Sequence, residues 1–67
     1  MSTTVVTVTG MTCNHCAMSV REEIEEIPGV TGVQVDVDSG RVEITSTADL
    51  DDAAIAAAVT EAGYQVA

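Results

Sequence analysis

The hydrophobic pattern changes its period within residues 3–27, TTVVTVTGMTCNHCAMSVREEIEEI. In the first seven of these residues, Val6 and Val8 alternate with threonines, which is typical of a β-strand with one buried face. Gly10 ends this strand. From Cys13 to Ile27 the apolar residues instead recur at helical spacing, while Arg21 and four glutamates occupy the opposite face. The apolar residues of this helix are Ala17, Val20, Ile24 and Ile27. The stretch therefore predicts a strand, a loop and an amphipathic helix.

A β-hairpin is predicted next. Pro28 and Gly29 cannot continue the helix, and the valines at 33, 35 and 37 then alternate with polar residues. Residues 38–41, DSGR, have a tight-turn composition, and beyond them Val42 and Ile44 alternate with polar residues again.

A second helix and a short strand complete the pattern. Asp49 or Asp51 is expected to cap a helix over residues 50–62, because a carboxylate oxygen can accept a free amide hydrogen bond at a helix start. Gly63 suits the left-handed position after the last turn, and residues 64–66 form a last strand. The core-facing residues of this helix are Leu50, Ile55, Val59 and Ala62.

The element order β-α-β-β-α-β predicts a ferredoxin-like α+β fold, an open-faced sandwich with two helices on one face of a four-stranded antiparallel sheet. We expect one domain over residues 1–67, with no linker or repeat. The other sheet face is predicted to be polar. It would carry Thr7, Gln34, Asp36, Glu43 and Thr45.

The amino-acid composition disfavours several classes of function. Two basic residues against 11 acidic ones give a formal net charge of −9, which disfavours binding to nucleic acid or to an anionic membrane surface. RNA-recognition domains share this element order, but they read bases with aromatic side chains, and the only aromatic residue here is one Tyr. No stretch approaches the roughly 18 apolar residues of a membrane span, and the N-terminus lacks a basic signal region. We therefore expect a cytoplasmic protein whose partner carries complementary positive charge.

Cys13 and Cys16 carry the chemistry that the sequence offers. They lie at the start of the first predicted helix, where free amide groups favour thiolate over thiol, most strongly for Cys16. Thiolates are soft ligands, and with His15 the chain offers at most three good donors. A structural zinc site takes four protein ligands, whereas two thiolates suit an ion with low coordination, of which Cu(I) is favoured in a cytosol. Such a site stays open to a third thiolate, so rapid handover of the ion is expected.

The segment GMTCNHC after the first strand, the amphipathic helix and the late Ala62-Gly63-Tyr64 resemble the heavy-metal-associated domain family, and within it the bacterial copper chaperones of the CopZ type. The resemblance covers essentially the whole chain. It implies a Cu(I) ion held by Cys13 and Cys16 and delivered to the metal-binding domains of a copper-transporting P-type ATPase. It also implies that Met11 packs beneath the metal loop and that Tyr64 lies near the site.

Three supporting residues have competing interpretations. His15 is either an exposed side chain, a tuner of the thiolates, or a third ligand in a metal-bridged dimer. Met11 is favoured as core packing over ligation. Tyr64 either closes the core or shields the site.

Other functions remain open at this point. A thiol-disulfide oxidoreductase also uses a CxxC pair, but the chain lacks a thioredoxin-like pattern, so no enzyme activity is expected. Within metal binding, the alternatives are Hg(II), Zn(II), or a domain excised from the ATPase itself. Zinc-preferring relatives place a carboxylate where this chain has Thr12. Delivery to a copper-responsive regulator is a further option. We expect a monomer without metal, and two cysteines permit a copper-bridged homodimer without requiring one.

Overall fold

The computed structural model describes residues 1–67 and confirms the ferredoxin-like fold. All strand pairs are antiparallel, and the sheet order is β2-β3-β1-β4. No helix has the length and apolar character that crossing a membrane requires. The elements are β1 (Ser2–Thr9), α1 (Asn14–Glu25), β2 (Val30–Asp36), β3 (Arg41–Ser46), α2 (Asp52–Glu61) and β4 (Gln65–Val66).

The core lies between the two helices and one face of the sheet, and it is entirely aliphatic apart from Met11. The register of the strands aligns the inward-facing residues of neighbouring strands, since Val42 of β3 pairs with Val6 on one side and with Val35 on the other. The opposite sheet face carries the polar residues predicted for it, exposed or half-buried. The buried hydrophobic residues are Val8, Met11, Val20, Ile24, Val33, Val42, Ile44, Ile55, Ala58 and Val59.

Both helices are shorter than the predicted ranges. Cys13 is the extended N-cap residue of α1 and not its first helical residue, and α1 ends at Glu25, leaving Ile27 half-buried in the turn that leads to Pro28. The residue before a proline avoids helical geometry, which places the end of the helix upstream of the last apolar position.

Of the two candidate caps for α2, the structure selects Asp51. Its carboxylate accepts a hydrogen bond from the Ala53 N–H at 2.9 Å, so the helix begins at Asp52. Asp49 instead accepts a hydrogen bond from the Ser2 hydroxyl at 2.6 Å. Leu50 therefore precedes the cap, although its side chain still packs against the core.

The end of α2 turns the chain back towards the start of α1. Gly63 has a φ of +94°, and the N–H groups of Gly63 and Tyr64 donate to the carbonyls of Thr60 and Val59 at 2.9 and 3.1 Å. These two bonds form a Schellman motif, as the glycine at this position predicts. The last strand then starts at Gln65, one residue later than predicted, and leaves Tyr64 free to contact the loop after β1.

The hairpin turn between β2 and β3 is fastened to β1 through Gly40. The Val8 N–H donates to the Gly40 carbonyl at 2.8 Å, and Gly40 has a φ of +76°. A Cβ atom added at Gly40 would lie 2.5 Å from the Val8 carbonyl oxygen, so no other residue fits here without moving backbone.

We predict that Gly40→Ala lowers the free energy of unfolding by about 2 kcal/mol or more, because it combines a left-handed backbone with a backbone clash. Gly32→Ala is the matched control, since its added Cβ would meet nothing within 4 Å, and we expect a change below about 0.5 kcal/mol. Urea denaturation of both variants measures this. If both variants lost the same free energy of unfolding, the loss in Gly40→Ala would not come from the close contact between Gly40 and Val8.

Candidate metal centre

The loop between β1 and α1 is held to the body of the protein by Met11. Gly10 leaves the strand with a φ of +91°, and the next residue, Met11, is only 8% exposed and belongs to the core. Thr12 and Cys13 are exposed again. The side chain of Met11 is thus part of the core, while the residues that follow it return to the surface.

The two cysteine sulfurs face each other at the surface end of this loop. Cys13 Sγ lies 3.6 Å from Cys16 Sγ, and both cysteines are free thiols. Cys13 is exposed, whereas Cys16, in the first turn of α1, is half-buried and packs against the core. Because a zinc–thiolate bond measures about 2.3 Å, sulfurs at this separation can bind one ion between them.

Hydrogen bonding favours the ionised form of Cys16. The backbone of Thr12, the Tyr64 hydroxyl, the Thr12 hydroxyl and the Cys13 thiol together lower the pKa of Cys16 to about 6, while partial burial opposes them. The low pKa of Cys16 agrees with the prediction, but its largest cause is the loop residue Thr12, whereas the prediction relied on the amides of the helix itself. Cys16 is therefore mostly a thiolate at neutral pH, and thiolates are the form that binds metal.

Tyr64 reaches the site from the opposite end of the chain. Its ring lies against the loop, with Cδ1 3.4 Å from the position that a Cβ of Gly10 would occupy. Hydrogen bonding to Cys16, then burial, then the negative charge of the two thiolates raise the pKa of Tyr64. The structure thus places Tyr64 beside the cysteine pair, with its hydroxyl near enough to Cys16 to favour the thiolate.

The remaining candidate ligand does not join the pair. His15 is exposed, and no group of three or more His, Cys, Asp or Glu side chains converges anywhere in the chain. Within one molecule, a metal ion would thus meet two sulfur ligands.

Thr12 is the residue whose contribution the sequence analysis missed. Its hydroxyl lies 3.8 Å from Cys16 Sγ, in addition to its backbone contact. Thr12 lies four residues before Cys16, and this spacing is the signal in the sequence that could have identified it.

Residues 5–65 match the heavy-metal-associated domain family. The chain belongs to this family. Among curated relatives, this heavy-metal-associated domain is 38% identical over 61 residues to the copper chaperone CopZ of Bacillus subtilis, covering 90% of this chain and 88% of that protein. It is also 35% identical over 58 residues to a mercuric reductase of Shigella flexneri, covering 87% of this chain but only 10% of the reductase.

Solved structures give the same family. A CopZ metallochaperone superposes on this heavy-metal-associated domain with a TM-score of 0.91 at 28% identity, covering 98% of this chain and 100% of that chain. A copper-binding domain of a P-type ATPase superposes with a TM-score of 0.88 at 27% identity, covering 100% of this chain and 92% of that chain.

We predict that Tyr64→Phe raises the pKa of Cys16, because the ring stays in place while the hydroxyl that stabilises the thiolate is removed. The pH dependence of iodoacetamide alkylation measures this in a Cys13→Ser background, where Cys16 is the only thiol. The variant should react more slowly than its Tyr64 parent at pH 7 and equally fast at pH 10. Identical profiles would show that the hydroxyl does not act on Cys16.

Proposed function

We propose that this protein is a cytoplasmic copper chaperone, which binds Cu(I) through Cys13 and Cys16 and transfers it to the metal-binding domains of a copper-transporting P-type ATPase. The observation that carries the proposal is the pair of sulfurs 3.6 Å apart with no third ligand beside them. The role is that of a carrier and not of an enzyme, with the copper ion as its cargo.

The ligand set favours a soft ion with low coordination. Zinc in a structural site takes four protein ligands, and this chain supplies two. Two thiolates suit Cu(I), and Cys16 is already ionised at neutral pH, so binding at this cysteine displaces few protons. In this function, Met11 supports the loop between β1 and α1. Tyr64 shields the cysteine pair, and its hydroxyl polarises the sulfur of Cys16.

Transfer follows from the unequal exposure of the two cysteines. Cys13 is exposed, whereas Cys16 is half-buried and lies beside the Thr12 hydroxyl and Tyr64, which lower its pKa. An acceptor thiolate would form a third bond to the ion on its open side as one bond to this chain breaks, and a second acceptor thiolate would then replace the other cysteine of this chain. His15, exposed next to the pair, would tune the thiolates or serve as a ligand in a copper-bridged dimer.

Two related functions have specific support. The similarity to a copper-binding domain of a P-type ATPase also suits a domain of the transporter itself, with the same site chemistry. The similarity to part of a mercuric reductase suits Hg(II), which is equally soft. We favour the chaperone, because the chain is 38% identical over 61 residues to a copper chaperone and 35% identical over 58 residues to the reductase.

We predict one Cu(I) per chain, held far more tightly than Zn(II), because two thiolates without further ligands disfavour four-coordinate ions. An anaerobic titration of the reduced protein against a Cu(I) chelator, repeated with Zn(II) and Hg(II), measures this.

The Cys13→Ser, Cys16→Ser double variant should lose this binding, whereas His15→Ala should keep the stoichiometry and serves as the matched control. Weak Cu(I) binding together with preserved Zn(II) binding would overturn the assignment. Loss of Cu(I) in His15→Ala would show that the histidine is a ligand.

We further predict that copper transfer slows as ionic strength rises, because the net charge of −9 attracts an acceptor with positive charge and salt screens this attraction. Stopped-flow mixing of the Cu(I)-loaded chain with a purified amino-terminal domain of a copper-transporting P-type ATPase measures the rate. We expect about a tenfold decrease between 0.05 and 0.5 M salt. A flat profile would contradict electrostatic docking.

A further inference from the structure

Strand β2 forms an open edge of the sheet. It pairs with β3 on one side only, and the ladder between them is irregular between Val30 and Gly32. A Cβ added at Gly32 would meet nothing within 4 Å, so the face of the sheet is also open at this point of the strand. The unpaired backbone groups of an edge strand are a template for pairing with another chain.

A groove of about 480 Å³ runs along this edge, between β2 and α1. Its apolar lining comes from Ala17 and Met18 on the helix and from Val33 and Val35 on the strand. Met18 is 55% exposed, an unusual position for a large apolar side chain. The groove thus has room for a small apolar side chain that enters from outside the edge.

The charge on both sides of the edge is acidic once the ion pairs are counted, and it sets the chemistry of an occupant. Arg21, on the helix side, forms an ion pair with Glu25 at 3.6 Å, and Arg41, on the outer sheet face, forms one with Glu43 at 3.4 Å. These are the only two basic residues of the chain, and both are paired. Glu22 and Asp36, beside them, form no ion pair, so the surroundings of the edge are acidic overall.

We propose that the edge of β2 and the groove beside it bind a short extended segment of another protein, in which small apolar residues alternate with Lys or Arg. In a strand added to β2, side chains alternate between the two faces of the sheet. One set would enter the groove beside Met18 and Val35. The other would lie on the outer face beside Asp36, the carboxylate there that forms no ion pair, so positive charge is complementary at this point.

A second copy of this chain is not the expected occupant. Two molecules of charge −9 repel each other, and β2 itself carries no basic side chain that could meet Asp36 of a neighbour. The charge therefore selects a basic partner and disfavours pairing of two β2 edges.

The probe is a blocked hexapeptide that alternates Val with Lys, titrated into the ¹⁵N-labelled reduced protein and followed by amide chemical shifts. We expect the largest shifts in β2 and on the groove side of α1. A peptide of equal composition, with three Val followed by three Lys, should bind at least about fivefold more weakly, because it keeps the charge but loses the alternation.

Two variants locate the site. Met18→Lys places a positive charge at the mouth of the groove and should weaken binding about fivefold or more. Val66→Lys is the matched control, since Val66 is 36% exposed on β4, at the opposite edge of the sheet, and receives the same change of charge. It should weaken binding less than about twofold.

Three results would overturn the proposal. They are equal weakening by the two variants, shifts centred on the acidic residues of α2, and concentration-dependent broadening of β2 amides without peptide, which would identify a second copy as the occupant. The Cys13→Ser, Cys16→Ser variant should bind the peptide unchanged. Failure of copper binding and failure of this inference are therefore separate outcomes.

Discussion

The buried side chain of Met11 is the contact on which the geometry of the cysteine pair depends. Only four residues separate the end of β1 from the first residue of α1, and Met11 is the one among them that enters the core. Fixing one residue of so short a loop restricts all the others, because each has only two free backbone angles. The sulfurs can therefore remain at the surface while the buried side chain of Met11 fixes the distance between them.

The second requirement is a stable thiolate on a protein with a net charge of −9. Carboxylates more than about 8 Å away are largely screened at physiological salt, so the net charge counts for less than the nearest dipoles. The first turn of α1 contains no acidic residue, and its N-cap side chain makes no capping bond. The polar groups of Thr12 and Tyr64 instead lower the pKa of Cys16. Polar groups close to Cys16 thus lower the pKa of its thiol despite the negative net charge of the protein.

The sequence was sufficient for the element order, because each element has a clear period of two or of 3.6 residues, as in β3 and α1. It was less informative about helix starts. Asp49 and Asp51 have equal capping ability, and only the distant Ser2 hydroxyl, which binds Asp49, distinguishes them. The contact between Tyr64 and Cys16 joins residues 48 positions apart, so the resemblance to a family indicated it and no local pattern could. The groove beside β2 was not visible either, since it depends on which strand forms the edge.

Helix α1 takes part in both of the surfaces described for this protein. Its first turn carries Cys16, and the face that includes Asn14, Met18 and Arg21 lines the groove beside β2. Asn14 directly follows Cys13, so the groove begins next to the cysteine pair. A rigid helix with a buried stripe at Val20 and Ile24 cannot move at one end without moving at the other. A segment seated along β2 would therefore hold its protein next to the exposed thiol of Cys13, where a metal ion would leave the chain.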